Sequence, residues 1–254
     1  MPFFNYQGKK IFYEEYGEGK PILLLHGNTG SSNMFYYTVP ALADEYKVIV
    51  IDFLGHGQSD RLDKFPDDLW YFEAEQVIAF LKKNDYGKVR LVGSSGGALV
   101  AINVALEAPE LVDSVVADSF EGEHSIDSFT QNIVSDREES KLDIDSVRFY
   151  QGMHGDDWES VVDNDTRAIE YHAKTIKNFF HKNLSELIPP IFLIGSKEDE
   201  FVKLISHDYF EEVYGDILRK IGHGDMYLFE TGGHPSILSN QEKFLDLVKD
   251  FWGD

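Results

Sequence analysis

Short apolar runs bounded by turn residues alternate along the chain with longer stretches in which apolar side chains recur every three or four positions. The first pattern suits strands buried on both faces and the second suits amphipathic helices. Their alternation predicts an α/β fold, a mostly parallel sheet flanked by helices. Strands are expected at 11–16, 21–25, 47–52, 88–93, 111–118, 191–195 and 225–230, the first two forming an opening pair joined by the Gly17-Glu18-Gly19 turn. Helices are expected at 67–84, 98–106 and 235–252. In the first, Leu69, Phe72, Gln76, Ile78, Ala79 and Leu81 fall mostly on one face. In the last, Ile237, Leu238, Phe244, Leu245, Val248 and Phe251 do so, and Pro235 suits the opening helical turn, where its missing N–H costs nothing.

Residues 119–188 break the rhythm, with several helical patterns and no clear strand between Asp118 and Ile191. This stretch reads as an inserted helical cap, dividing the chain into a core of 1–118 and 189–254 and a cap of 119–188. Pro189-Pro190, with fixed φ angles and no donors, makes a stiff re-entry into the core. The acidic segment Glu121 to Asp145 is read as a solvated helix face.

At 254 residues, one domain with an insertion fits better than two equal halves. The 43 % hydrophobic and 14 % aromatic content excludes a disordered chain. With 23 Lys and Arg against 45 Asp and Glu, a formal charge of −22 argues against nucleic acid and anionic lipid as partners. The absence of cysteine rules out disulfides, thiolate metal sites and cysteine nucleophiles. No run approaches the ~18 apolar residues of a membrane span, and the N-terminus lacks the basic start and apolar stretch of a secretory signal, so a cytoplasmic protein is expected.

The sharpest motif is Gly93-Ser94-Ser95-Gly96-Gly97, directly after the strand 88–92 and directly before the helix 98–106. A G-x-S-x-G turn in that setting holds its central hydroxyl exposed, which makes Ser95 a candidate nucleophile. A hydroxyl needs a neighbouring base, and the base needs an orienting acid. Asp199, just past the end of the strand at 191–195, is the candidate acid, with Asp118 at the end of an earlier strand as an alternative. His234, in the Gly232-Gly233-His234-Pro235 loop, is the candidate base among nine histidines. His223 is second, because it precedes its strand and so falls at the opposite sheet edge. The Gly96 amide, at a helix N-terminus, would meet a developing oxyanion. A second amide should come from the His26-Gly27-Asn28 loop, with Asn28 nominated and His26 read as structural.

Together with Asp52-Phe53-Leu54-Gly55-His56-Gly57-Gln58-Ser59-Asp60, these motifs appear in the order found in one family. The chain resembles the α/β-hydrolase superfamily, in its branch of serine esterase-like and C–C-bond-hydrolase-like proteins with a helical cap. The resemblance covers most of the chain outside the cap and implies an eight-stranded sheet. The segment from Asp52 looks like the family's D-x-x-G-x-G-x-S turn, and it lacks the third glycine of a dinucleotide fingerprint. Relatives that dehalogenate or open epoxides carry Asp at the nucleophile position, which Ser95 disfavours. Family aminopeptidases usually follow the nucleophile with Trp, where this chain has Gly96, although its acidic cap is compatible with them.

The expected activity is hydrolysis of a small or medium apolar carboxylic ester or thioester through an acyl-enzyme on Ser95. C–C bond hydrolysis of vinylogous diketones and aminopeptidase activity are alternatives, as is a small-molecule receptor that turns over very slowly. No metal or other cofactor is expected, and no His-Glu-x-x-His cluster is present. Phe35, Phe120 and Trp158 are candidate pocket residues, and the expected partner is a small-molecule substrate bound by a monomer or homodimer.

Overall fold

The computed structural model describes residues 3–253. In chain order these form β1 (Phe3–Tyr6), β2 (Lys9–Tyr16), β3 (Lys20–Leu25), α1 (Thr38–Ala43), β4 (Tyr46–Ile51), α2 (Leu69–Asn84), β5 (Val89–Ser94), α3 (Gly96–Glu107) and β6 (Val112–Asp118). Then follow α4 (Asp127–Ser140), α5 (Ile144–His154), α6 (Trp158–Thr175), β7 (Ile191–Ser196), α7 (Tyr209–Ile221), β8 (Asp225–Phe229), α8 (Ser236–Ser239) and α9 (Gln241–Trp252). The eight strands make one sheet in the order β1-β2-β4-β3-β5-β6-β7-β8, antiparallel at β1/β2 and β2/β4 and parallel elsewhere. This is the α/β architecture that the hydrophobic pattern predicts.

Two expectations about pairing and helix extent are corrected. The opening strands are not hydrogen-bonded to each other, because β4 lies between them, antiparallel to β2 and parallel to β3. Apolar content decides this: Ile22 to Leu25 are all fully buried and take a central place, whereas β2 exposes its end. The expected helix at 235–252 breaks at Asn240 into α8 and α9, and Pro235 stands before α8 in extended backbone (φ −85°, ψ 162°). Strand β1 gives little sequence signal because only Phe4 of its four residues is buried. It pairs with β2 across the two-residue Gln7-Gly8 turn, both residues having positive φ.

Alternate residues of the central strands feed two cores. Leu23, Leu25, Ile49, Ile51 and Leu91 face α2 and α3, meeting Val77, Phe80, Leu99 and Ile102. Ile22, Leu24, Val48, Val50 and Val92 face α1 and α9, meeting Val39, Leu42, Phe244 and Val248. The strands are therefore held from both sides, and their C-terminal ends form a stiff edge on which loops can present side chains. Helices α4 to α6 lie between β6 and β7 in sequence. They are mostly polar: α4 buries only Ile133, while α6 turns Val161, Val162, Asp165, Ala168, Ile169 and His172 inward. Among the described residues, no helix is long and apolar enough to cross a membrane.

Candidate active site

Strand β5 ends at Ser94 and α3 starts at Gly96, leaving Ser95 to make the whole reversal at φ 55°, ψ −124°. Such a backbone costs a non-glycine residue roughly 1–3 kcal/mol and persists only where its surroundings over-determine it. Here the Ser95 N–H donates to Asp118 O at 2.7 Å and the Ala98 N–H donates to Ser95 O at 2.9 Å. The flanking glycines serve close packing: a Cβ on Gly93 would lie 2.1 Å from Gly97 O, and one on Gly97 would lie 2.1 Å from Leu25 O.

Asp199 and His234 come from the loops after β7 and β8. The buried Asp199 Oδ2 lies 2.8 Å from His234 Nδ1, and Asp199 Oδ1 accepts from the Phe201 N–H at 3.0 Å. The His234 N–H donates to Glu200 Oε2 at 2.9 Å, and the Phe201 ring meets the imidazole edge-on, centroids 4.7 Å apart. A proton on Nδ1 facing Asp199 leaves Nε2 as an acceptor. Burial works to lower the His234 pKa, but the hydrogen bond and charge of Asp199, with Asp118 and Glu200 behind them, outweigh it and raise the pKa above its ordinary value.

Asp118 does not hold the imidazole. It accepts from Ser94 Oγ at 3.2 Å, Ser119 Oγ at 2.9 Å, the Ile237 N–H at 3.1 Å and Ser236 Oγ, and so fastens the start of α8 to the sheet edge beneath His234. His223 lies before β8, its Nε2 2.9 Å from Leu187 O. His26 is buried, its Nε2 accepting from the Phe53 N–H at 3.2 Å.

The loop after β3 lies against the elbow so closely that a Cβ on Gly27 would come 2.9 Å from Ser95 Cβ and 3.4 Å from its Oγ. A Cβ on Gly96 would come 2.1 Å from Asn28 Oδ1, so the helix N-terminus and the loop abut. Asn28 Oδ1 accepts from Trp70 Nε1 at 3.1 Å and Asn28 Nδ2 donates to Asp165 Oδ2 at 2.8 Å. Among the described residues, neither the Asn28 nor the Gly96 backbone N–H is committed to a hydrogen bond. Ser95, His234 and Asp199 line one cavity of about 610 Å³ together with Gly27 and Asn28. Among the described residues, no hydrogen bond joins Ser95 Oγ to the imidazole, whose ring is held by Asp199.

Of the three expected pocket residues, Phe120 lines the cavity and the other two do not. Phe35 ends a short 3₁₀ turn and is fully buried with Ile22, Leu24 and Val39 in the core under the sheet. Trp158 stacks behind the cavity on Tyr150, centroids 5.5 Å apart, and packs on Val162. The apolar wall is instead Phe120, Phe129, Ile133, Phe149 and Ile169, with Trp70 from α2. Trp70 sits on the apolar stripe of its helix, where nothing in the sequence separates a pocket residue from core. Glu121, Asp136, Arg137 and Asp145 add charge to the wall, and burial pushes the Glu121 carboxyl up to about 7. Asp165 went unnoticed in the sequence, although a carboxylate on the apolar stripe formed by Val161, Ala168, Ile169 and His172 is a readable anomaly. Among the described residues, no group of three or more His, Cys, Asp or Glu side chains is disposed to hold a metal ion.

A family model described as alpha/beta hydrolase fold matches residues 20–140. Over 144 residues, 55 % of this chain and 38 % of the relative, the sequence is 34 % identical to the dihydrolipoyllysine-residue acetyltransferase component of the acetoin cleaving system of Pseudomonas putida. Over 119 residues, 45 % of this chain and 40 % of the relative, it is 32 % identical to 2-hydroxy-6-oxo-6-(2'-aminophenyl)hexa-2,4-dienoic acid hydrolase of Metapseudomonas resinovorans. The matches thus span about two fifths of these curated relatives. The solved structure of an esterase from Exiguobacterium antarcticum superposes with a TM-score of 0.78 at 19 % identity, covering 97 % of both chains, which is a likeness of fold.

Proposed function

We propose, from the premise that this chain is a member of the α/β-hydrolase superfamily, that it is a serine hydrolase of small or medium carboxylic esters or thioesters. The observation that carries the reading is the Asp199–His234 pair facing, across one cavity, a serine on a strained elbow beside two uncommitted amides. In this mechanism Ser95 Oγ attacks the substrate carbonyl carbon and its proton passes to His234 Nε2. Asp199 keeps the imidazole in the required tautomer and stabilises the imidazolium. The carbonyl oxygen, now an oxyanion, takes hydrogen bonds from the Gly96 and Asn28 amides, each donor worth about 10²- to 10³-fold in turnover. Collapse of the tetrahedral intermediate expels the alcohol or thiol, which receives the proton from Nε2. Water, deprotonated by the same nitrogen, then attacks the acyl carbon, and collapse of the second tetrahedral intermediate releases the acid as Nε2 returns the proton to Ser95 Oγ.

Helices α4 to α6 act as a cap in this reading, and their aromatic and aliphatic side chains hold the apolar part of the substrate. A cavity of about 610 Å³ suits such a molecule. The charge of −22 and the absence of cysteine suit a cytoplasmic enzyme acting on neutral small molecules. Similarity to the dienoic acid hydrolase favours one second reading, C–C bond hydrolysis of a vinylogous diketone, in which the same residues would act on a ketone.

Intact-protein mass after reaction with a fluorophosphonate, followed by peptide mapping, tests the nucleophile: one adduct on Ser95, absent in Ser95→Ala, is expected. Folded protein with no adduct, or an adduct elsewhere, removes the mechanism. Sustained turnover of p-nitrophenyl esters supports the esterase. Failure on esters with consumption of a dienoic diketone supports the second reading.

A further inference from the structure

Each helix of the insertion sends one polar side chain to the Asn28-Thr29 segment. From α4, Arg137 Nη1 donates to Thr29 Oγ1 at 3.0 Å. From α5, His154 Nε2 lies 2.9 Å from Thr29 O while its Nδ1 accepts from the Gly57 N–H at 3.0 Å. From α6, Asp165 Oδ2 accepts from Asn28 Nδ2 at 2.8 Å and from the Thr29 N–H at 3.3 Å. Asp165 has no solvent exposure, and it is the one of the three that grips Asn28 itself.

A fully buried carboxylate is costly unless charge and hydrogen bonds compensate it. The compensation here comes from both layers of the molecule. His56 Nε2, from the turn after β4, is 3.8 Å from Asp165 Oδ2, and Arg137 Nη2, from the insertion, is 3.8 Å from Oδ1. Burial pushes the carboxyl up, but His56, Arg137 and Asn28 outweigh it and hold it below the ordinary carboxylate value, so it stays charged. On the other side of the same carboxamide, Trp70 Nε1 donates to Asn28 Oδ1, and Gly96 packs beneath. The Asn28 side chain is thus stretched between an anion from the insertion and a donor from the core. The peptide of the same residue carries the uncommitted N–H beside Ser95.

We infer that Asp165 is a positioning residue for turnover: it orients the Asn28 peptide, so that the oxyanion-binding geometry depends on how the α4–α6 insertion is seated. The inference rests on the serine-hydrolase reading of this site. It distinguishes Asp165 from a residue that only holds two layers together, because its shorter link to the loop, 2.8 Å against 3.3 Å to the Thr29 N–H, runs through the Asn28 carboxamide and the effect must be felt when negative charge forms on the substrate oxygen.

The test uses the full chain as wild type, Asp165→Asn, Asn28→Ala and the double variant. It measures kcat and KM on p-nitrophenyl butyrate, the rate of Ser95 phosphonylation by a fluorophosphonate, and near-ultraviolet circular dichroism. For Asp165→Asn the expected result is a kcat lower by about 10- to 100-fold with KM within about twofold, since displaced catalytic groups lose rate more than binding. Phosphonylation should slow by a similar factor while the dichroism is unchanged. Asn28→Ala should lose about as much, and adding Asp165→Asn to it should lose little more, because the route is already cut. The inference is overturned if Asp165→Asn raises KM with kcat intact, if the two losses multiply in the double variant, or if Asn28→Ala keeps wild-type kcat. The last outcome decides the matter even if Asp165→Asn fails to fold. Wild-type protein that neither labels at Ser95 nor turns over esters would instead defeat the serine-hydrolase reading itself.

Discussion

Ser95 and Asp199 follow β5 and β7, strands in which every residue is buried, whereas α4, which walls the same cavity from above, buries only Ile133. At the sheet edge, position is set by strand register and by apolar contacts on both faces, so neither Ser95 nor Asp199 can move far without disturbing the core. The insertion meets the core through apolar packing of α6, where Val161 and Ala168 lie on Phe65 and Leu69, and through discrete polar contacts such as Arg61 with Asp157 at 2.7 Å and Asn33 Nδ2 with Gly152 O at 2.8 Å. Within it α4 buries only Ile133, and few buried apolar contacts mean a lower cost of local rearrangement. A fixed edge beneath and a more adjustable wall above is what the difference teaches: under the proposed mechanism, bond-breaking geometry would belong to the edge and choice of substrate to the helices.

The largest effects should fall on the edge. Ser95→Ala and His234→Ala should each lower kcat by about 10⁴-fold or more with near-ultraviolet circular dichroism retained, and Asp199→Asn should come close to them. A comparable loss from an apolar substitution in α4 would erase the distinction. Next, Gly96→Ala places a Cβ 2.1 Å from Asn28 Oδ1 and 2.8 Å from Trp70 Nε1, displacing the loop that carries the second amide. Its kcat should fall by about 10²-fold, with a thermal-melt destabilisation of about 1–3 kcal/mol from overpacking.

The pH dependence sharpens the contrast further. In the proposed mechanism His234 serves as a base only when neutral, and its pKa is raised, mainly by Asp199 working against burial. The acid limb of kcat/KM should therefore lie above the ordinary histidine value of about 6.5, and Asp199→Asn should move it to lower pH. Stability runs the opposite way. A raised pKa in the folded state means that the protonated ring contributes stability fully below the unfolded value, and this is lost as pH rises through the folded one. Chemical denaturation of wild type and His234→Ala across pH 5–8 measures it: the wild-type advantage should shrink as pH rises.

The smallest effect on rate, and the clearest on selectivity, should come from the insertion. Phe129 packs edge-on against Phe201, centroids 5.3 Å apart, and lines the cavity. Phe129→Ala should leave kcat on a short ester within a few-fold while changing the preference between short and long acyl chains by about tenfold, read from kcat/KM across a series of p-nitrophenyl esters. An unchanged preference would mean that the helices do not govern selection.

The alternation of buried strands and amphipathic helices was legible along the chain because it is written in local spacing. So was the elbow, since its glycines and serine occupy consecutive positions between a strand and a helix. Less legible were β1, whose buried side is a single Phe4, and the place of β4 between β2 and β3, which no local pattern encodes. Phe35 and Trp158 misled for a related reason. An aromatic residue near a site motif looks the same in sequence whether it faces the cavity or, as with Trp158, the back of Tyr150.

What this sequence determined by itself was the set of elements and the residue types at their ends, because hydrophobic period, turn chemistry and chain order are properties of neighbouring residues. Only the tertiary structure decided that Asp199 meets His234 while Asp118 ties down α8, and that Asp165 reaches Asn28 from 137 residues away. Those choices rest on distances across the folded chain, where a tenth of a nanometre separates a hydrogen bond from none and where burial decides which charges require partners.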